Sequence, residues 1–423
     1  MMLQHPLNMD GRPRGIRDID GAARQGPLAP YKVLEIGSTI AGPFCGRLFA
    51  DFGAEVVKVE ALEGDPVRAM GSHEQDVSLY AASILRNKAN AAIDLRTEAG
   101  REVVRALAAR CDVMIENFRP GTLEKWGLGW ERLREANPGL VLVRISGYGQ
   151  TGPYSGRPGY GVISEAISGL RGVTGEPDRP PARLNTSLTD YLTGLYAAFG
   201  AMMALDHRHR TGEGQVVDAA LYESGFSFME PHVPAYAHRG VVAQRTGSAL
   251  PGSVPNNLYQ TCDGQSIHIA AMADAVFRRL CAAMGQPELA SDSRYARAEA
   301  RNRHARQIDA QVAAWVAGLS LDQAEAELRR AEVPAARIYS VADAFADPHY
   351  RARGMLVRAP SSALPGGVAM AGVVPRLTAT PGEVRHAGRR LGEDTHEVLV
   401  RWLGLGEDEI AALAAAGAVR VPS

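Results

Sequence analysis

The chain has 423 residues, of which 46% are hydrophobic and 22% are charged, and its formal net charge is -1. This length allows two or three domains, and the composition is typical of an ordinary globular protein. A net charge so close to zero gives no electrostatic footprint for nucleic acid or for an anionic membrane, so neither is expected as a partner. The four cysteines are far apart and form no CxxC pair, which argues against a metal or redox motif and favours a reducing, cytoplasmic compartment.

Residues 1–28 lack the apolar core of a signal peptide or of a membrane span, and we interpret them as a loose N-terminal tail. Elsewhere no apolar run reaches ~18 residues without polar interruption, so a soluble protein is expected.

Strand and helix patterns alternate over the first half of the chain. Residues 31–36 (YKVLEI) are typical of a strand, residues 44–52 of a helix that follows a Gly- and Pro-containing loop, and residues 54–60 of a second strand. Connections of this kind are right-handed and make the two strands parallel. The same alternation continues to residue 146, so residues 29–238 are predicted to form a doubly wound, Rossmann-like α/β domain.

The segment from Arg183 to Leu205 (RLNTSLTDYLTGLYAAFGAMMAL) follows a Gly- and Pro-rich stretch and contains no charge after Asp190. Its composition predicts a helix that is buried on most of its faces. Asp190 would begin this helix, where the dipole and free backbone N–H groups should keep a carboxylate ionised. From the residues alone Asp190 is either a helix cap or a nucleophile held at the rim of a pocket.

The chain becomes loose again near residue 239, and residues 239–335 are predicted to form a smaller α+β domain that begins with a hairpin. Residues 336–423 are expected to return to the large domain.

Standard catalytic fingerprints are missing from the sequence. The loop after the first strand has neither a Walker ending nor GxGxxG spacing, and GxSxG and HExxH do not occur. The same loop would still leave free N–H groups at a helix N-terminus beside a sheet crevice, which suits an anionic, nucleotide-like ligand.

Several longer motifs occur together in one order: LEIGSTIAGPFCGRLFADFGAEVVKVE, GDPVR, RNKANAAIDL, DVMIENFRPGTLEKWGLGW, NPGLVLVRISGYGQTGPYSGRPGY, TGEPDRPP, SLTDYLTGLYAAFGAMMAL and RTGEGQVVDAALYES. In these motifs the chain resembles the family III coenzyme A transferases, which include formyl-CoA, carnitine-CoA and succinyl-CoA-dependent enzymes, and the related α-methylacyl-CoA racemases. The resemblance is dense over residues 31–225 and looser beyond.

The resemblance assigns the nucleophile to Asp190, whose carboxylate would form an acyl anhydride and then a thioester with CoA. Contacts to coenzyme A are implied for seven positions: Thr39, Ile40, Ala41, Asn117, Phe118, Lys125 and Tyr160. Ile40 and Ala61 depart from the formyl-CoA transferase pattern, where a polar and a basic residue stand, so formyl-CoA specificity is not expected.

The resemblance also implies substrates and assembly. The Asp190 segment is most similar to enzymes that use succinyl-CoA with dicarboxylic acids, and Arg183, or another arginine of the Pro-rich loop, is a candidate for binding the second carboxylate. The CoA thioester is then a substrate, with no tightly bound cofactor and no metal. Members of the family form interlocked, ring-like homodimers, so a homodimer is expected.

Two alternative functions stay open. A racemase would carry a histidine where this chain has Tyr160, and a phenol is a poor replacement for a base that works near neutral pH. A non-catalytic CoA-binding partner subunit is disfavoured because Asp190 is present.

Overall fold

The computed structural model of the chain describes Gly21 and residues 24–422, so most of the predicted N-terminal tail lies outside the described residues. The chain forms two compact units. The first contains the described residues up to Leu170, then Leu184–Val233 and the residues from Arg351 onward, and the second contains Arg171–Arg183 and Pro234–Tyr350.

The strands of the described residues are β1 (Lys32–Glu35), β2 (Glu55–Glu60), β3 (His73–Glu74), β4 (Val77–Ser78), β5 (Ala89–Ile93), β6 (Val113–Glu116), β7 (Val141–Ser146), β8 (Val216–Ala220), β9 (Asn256–Gln260), β10 (Ser266–Ala270), β11 (Ala335–Arg337), β12 (Leu356–Ala359), β13 (Val368–Ala371) and β14 (Val419–Arg420).

The α-helices are α1 (Ala41–Asp51), α2 (Leu79–Ile84), α3 (Glu98–Ala108), α4 (Thr122–Lys125), α5 (Trp130–Ala136), α6 (Gly161–Ile167), α7 (Leu188–Thr211), α8 (Leu221–Phe226), α9 (His232–Arg239), α10 (Asp274–Ala283), α11 (Ala298–Arg303), α12 (Ala305–Val316), α13 (Leu321–Arg330), α14 (Val341–Ala346), α15 (Pro348–Ala352), α16 (Thr395–Val398) and α17 (Glu407–Ala415). Among the described residues, no helix combines the length and the apolar composition that crossing a bilayer requires.

A seven-stranded sheet in the order β14-β5-β2-β1-β6-β7-β8 forms the centre of the first unit. All neighbouring strands are parallel except β14, which pairs antiparallel with β5. From β1 the chain builds outward through β2 and β5 on one side and through β6, β7 and β8 on the other, which is the doubly wound order that the alternating pattern predicts. The order therefore reverses between β1 and β6, where a crevice opens at the carboxyl ends of the strands.

Two hydrophobic clusters cover the two faces of this sheet. One contains Leu34 and Val57 with helix α3, and the other contains Val33 and Val56 with helices α1 and α7. Because successive side chains of a strand point to opposite faces, strands with both faces covered consist of almost continuous apolar runs.

The second unit contains the antiparallel sheet β11-β10-β9. Ile267 and Ile269 of β10 pack with helices α10, α12 and α13 around Phe277. Helices α11 and α12 are separated at His304, which has non-helical backbone angles of φ -113° and ψ 27°.

Helix α7 is less buried than its composition suggested. The face with Ala197, Ala201 and Ala204 packs into the core, whereas Leu195 is 54% exposed and Phe199 is 60% exposed. The prediction that this helix is buried on most of its faces is wrong for the single chain, because the face that packs against α1 and the sheet consists mainly of small residues, and most of its large apolar side chains lie outside that face.

Candidate active site

A cavity of about 320 Å³ opens in the first unit at the carboxyl ends of β1, β6 and β7. Its lining comes from the loop after β1, the loop after β6, the segment before α6 and the start of α7: Ser38, Thr39, Ile40, Ala41, Pro66, Asn117, Phe118, Arg119, Pro120, Ile145, Ser146, Gly147, Arg157, Pro158, Gly159, Tyr160, Asp190 and Leu221. The cavity therefore occupies the position at which the strand order reverses, the usual ligand site of an open α/β sheet.

Asp190 is the third residue of α7 and is largely buried in the cavity wall. The helix begins at Leu188, and Ser187 stands at the N-cap position without a side-chain cap. Asp190 is therefore not the N-cap residue. Thr189 joins the first turn of α7 to the start of α6, since its buried hydroxyl donates to the carbonyl of Gly161 at 2.8 Å.

Gly161 at the start of α6 lets backbone approach the Asp190 carboxylate closely. A Cβ atom at position 161 would lie 1.9 Å from Asp190 Oδ2, so any other residue would have to displace the carboxylate. The carboxylate is thus held between two helix starts, with one side open to the cavity.

Burial raises the pKa of Asp190 to about 6, against a smaller lowering by its own backbone N–H. Among the described residues, no cation forms an ion pair with this carboxylate. The helix terminus does not bring this pKa below its usual value, because loss of solvent outweighs the helix dipole here. The group is still mainly ionised at neutral pH, and it is a more basic carboxylate than an exposed aspartate.

The loop after β1 is held by side chains from distant parts of the sequence. Asn117 Oδ1 accepts from the backbone N–H of Ser38 at 2.7 Å, and Asn117 Nδ2 donates to the Ser38 carbonyl at 2.8 Å. The N–H of Thr39 donates to Asp65 Oδ1 at 2.9 Å. The free N–H groups predicted in this loop are therefore already bound at Ser38 and Thr39, and Thr39 has a φ of +70°, which is unusual for a β-branched residue.

A buried ionic network lies directly beneath this loop. The ammonium of Lys58 lies 2.9 Å from Asp65 Oδ2 and 3.5 Å from Glu35 Oε1, and it also donates to the carbonyl of Gly37. Lys88 pairs with Glu35 at 2.6 Å. Although burial acts to raise it, the charge of Lys58 and the backbone N–H groups around Asp65 lower the pKa of that carboxyl.

This network was not predicted from the sequence. Its signal was present as charged residues inside otherwise apolar central strands, KVLE in β1 and EVVKVE in β2. Charges at such positions are buried and need partners.

The predicted site residues fall into two groups. Thr39, Ile40, Ala41, Asn117, Phe118, Tyr160 and Asp190 line the one cavity. Lys125 does not line it and lies exposed at the end of α4. Tyr160 is 74% exposed, Asn117 is used to hold the Ser38 backbone, and Arg183 is exposed and belongs to the second unit.

A second cavity of about 320 Å³ lies beside the first and shares Ser38, Pro66 and Phe118 with it. Phe118 packs edge-on against Trp126, with ring centres 5.0 Å apart. Arg96 and Ala61 lie in the wall of this second cavity. Among the described residues, no cluster of His, Cys, Asp and Glu has an arrangement that would hold a metal ion.

The fold and the site together define a doubly wound α/β protein with a buried carboxylate at its switch-point crevice. The chain matches CoA-transferase family III over residues 28–395 and belongs to that family, which confirms the resemblance and the enzyme class.

Named relatives and a solved structure agree with this assignment. The chain is 47% identical to the succinyl-CoA–D-citramalate CoA-transferase of Chloroflexus aurantiacus (strain ATCC 29366 / DSM 635 / J-10-fl) over 92% of this chain and 97% of that protein. It is 36% identical to the succinyl-CoA:mesaconate CoA-transferase of Haloarcula hispanica over 84% of this chain and 91% of that protein. The crystal structure of a CAIB/BAIF family protein from Brucella suis superposes with a TM-score of 0.80, at 35% identity, over 90% of this chain and all of that one.

Proposed function

We propose that this enzyme transfers coenzyme A from succinyl-CoA to a dicarboxylic acid, with Asp190 as the nucleophile. The observation that carries the proposal is the lone carboxylate of Asp190 in the wall of the switch-point cavity, buried and open on one side. The names of the relatives support succinyl-CoA as the donor and acids such as citramalate, malate and mesaconate as acceptors.

The chemistry needs only the carboxylate and the two substrates. An oxygen of Asp190 attacks the thioester carbon, the C–S bond breaks, and CoA leaves as a thiolate while the acyl group stays as an anhydride. The thiolate then attacks the aspartyl carbonyl and releases succinate, which leaves a thioester between Asp190 and CoA. The acceptor carboxylate reverses both steps and leaves as the new thioester, so no electron or net proton is gained or lost.

The two adjoining cavities give this proposal a route for the long CoA molecule. The thioester end would lie in the cavity with Asp190 and Tyr160, and the nucleotide end in the second cavity, with Phe118 between them. Thr39, Ile40, Ala41 and Asn117 would contact the middle of the molecule. Lys125 lines neither cavity, and it would contact CoA only as an exposed cation next in the chain to Trp126 of the second cavity.

We propose a homodimer in the cytoplasm as the working form. The exposed apolar face of α7, with Leu195, Phe199 and Met203 each more than half exposed, supports a protein interface. The cysteines of the described residues are unpaired, which suits a reducing compartment. Light scattering at micromolar concentration tests the dimer, and a monomer mass would contradict it.

The racemase alternative finds no support at Tyr160. This residue is mostly exposed, and no described histidine lines the cavity with Asp190. Deuterium exchange at Cα of a 2-methylacyl-CoA at a catalytic rate would favour the racemase over the transferase.

A matrix of acyl-CoA donors and free acids tests the proposed function. Each pair is incubated with the enzyme, and the new thioester is identified by its mass. We expect succinyl-CoA with a dicarboxylic acceptor to give the highest kcat/KM. Absence of any CoA exchange would leave the non-catalytic binding partner as the better account.

The rate of transfer should depend on pH through Asp190. Because its pKa is raised to about 6 and the carboxylate is the nucleophile, kcat/KM should be constant above pH 7 and fall about tenfold per pH unit below 6. Initial rates between pH 5 and 8.5 measure this. A rate that stays constant down to pH 5 would contradict the assigned environment of Asp190.

A further inference from the structure

The guanidinium of Arg47 on α1 has no counter-ion of its own. The nearest carboxylate is Asp51, with Arg47 Nε 3.8 Å from Oδ2. Both oxygens of Asp51 are already engaged by Arg86, at 2.9 Å from Nε to Oδ1 and 2.7 Å from Nη2 to Oδ2. Asn87 donates to Oδ1 as well, at 2.8 Å. The Asp51 carboxylate is therefore the nearest anion to both arginines, but of these two it forms hydrogen bonds only with Arg86.

Arg47 is also without hydrogen bonds among the described residues. Its side chain is only 17% exposed, and its Nε atom is shielded from solvent with no acceptor. Burial and the charge of Arg86 lower its pKa, although an arginine in this setting stays protonated. A cation buried without a full partner costs stability, and such groups cluster at functional sites.

Arg47 is linked to the start of α7 through two aromatic rings, and it lies behind the residues that line the cavity rather than among them. Its guanidinium carbon lies 4.6 Å from the ring centre of Phe44, and Phe44 packs edge-on against Tyr191, the residue after Asp190, at 4.8 Å. Burial and the hydrogen bond with Tyr191 raise the pKa of the Tyr80 hydroxyl, the charge of Asp190 raises it further, and the charge of Arg47 lowers it.

Two phenols lie in the same region as Phe44. The hydroxyls of Tyr80 and Tyr191 lie 2.8 Å apart and share one hydrogen bond, and the second phenolic hydrogen has no acceptor among the described residues. Ile40, which lines the cavity, packs in the same apolar cluster as these rings. The region thus offers an arginine fork and one O–H donor on an otherwise apolar floor, which is the chemistry that binds a carboxylate.

We propose that Arg47 binds the second carboxylate of the substrates, the one that does not react with Asp190. The inference rests on the proposed function and names the feature of the substrates that the site selects. Succinyl-CoA and a dicarboxylic acceptor both carry such a group, and both pass through Asp190 in turn. One cation therefore serves both halves of the reaction and selects dicarboxylic over monocarboxylic acids.

Exchange between an acid and its own thioester tests this directly. Labelled succinate with succinyl-CoA is compared with labelled butyrate and butyryl-CoA, which have the same chain length without the second carboxylate. In Arg47→Gln the ratio of kcat/KM for succinate to that for butyrate should fall at least about 30-fold. Arg47→Lys keeps the charge without the fork and should lower the ratio less. Arg132→Gln, at an exposed position on α5, is the control and should keep the wild-type ratio.

A ratio that does not change in Arg47→Gln, or an equal loss with both acids, would overturn the proposal. A binding measurement separates this from a failure of the proposed function. Succinate should raise the thermal unfolding temperature of the wild type more than butyrate does, and Arg47→Gln should lose the difference. If the wild type exchanged neither acid but kept this Arg47-dependent difference, the transferase proposal would fail and the carboxylate site would stand. If the difference were also missing, the site would fail too.

Discussion

Replacing Asp190 by asparagine should abolish CoA transfer while it makes the folded protein more stable. An amide of the same size keeps the contacts with Gly161 but is not a nucleophile for a thioester. We expect kcat to fall by at least about 10⁴-fold, with CoA binding retained. Exchange of labelled succinate into succinyl-CoA measures kcat, and calorimetric titration with CoA measures CoA binding.

The stability gain follows from the sign of the pKa shift. A carboxyl group whose folded pKa is raised binds its proton more tightly in the folded state, so its ionisation costs stability as pH rises from about 4 to about 6, and the cost stays constant above that. The shift to about 6 corresponds to at most about 3 kcal/mol. Asp190→Asn should therefore unfold at a higher temperature than the wild type at pH 7.5, with a smaller difference at pH 5. A variant that is less stable at pH 7.5 would show that the carboxylate is stabilised by a partner.

Removing the buried ammonium of Lys58 should cause the largest loss of stability. Lys58→Met leaves Asp65 and part of Glu35 as unpaired buried charges and removes the donor to the Gly37 carbonyl. Breaking a buried ion pair from one side costs about 3–5 kcal/mol. Urea unfolding followed by circular dichroism should show a clear drop in the midpoint, and transfer should weaken because Asp65 also holds Thr39.

Two further variants test whether burial of the ion pair causes the loss of stability. Lys58→Met combined with Asp65→Asn removes both charges of the pair and should recover part of the loss. Arg210→Met breaks an exposed ion pair, in which Arg210 Nη2 lies 2.8 Å from Asp206 Oδ2 and the two side chains are 70% and 68% exposed. This variant should change the free energy of unfolding by less than about 1 kcal/mol. Equal losses of stability in Lys58→Met and Arg210→Met would contradict the assigned role of burial.

The sequence predicts the sheet well because its strands are read from local patterns. The run from β1 through α1 to β2 appears as alternating apolar segments, loops and caps, and the right-handed crossover then makes the two strands parallel, as observed. Thr39, Asn117 and Asp190, which the family motifs predict as site residues, line one cavity although they are far apart in the chain.

The electrostatics of the site depend on contacts that local patterns do not contain. The raised pKa of Asp190 comes from its burial, and the backbone of Thr39 is fixed by Asp65. The missing partner of Arg47 is apparent only once Arg86 is seen on Asp51. Each of these three features depends on which residues, distant in the sequence, contact each other in the fold, so none could be predicted from spacing or composition.

The central claim is that Asp190 carries the transferred group, and a mass measurement of that residue tests it most directly. The enzyme is incubated with succinyl-CoA without an acceptor, quenched in acid, digested and analysed by mass spectrometry. We predict CoA joined as a thioester to Asp190 in the wild type and no adduct in Asp190→Asn. Turnover with no CoA or acyl group on Asp190, or with the adduct on another residue, would contradict the account.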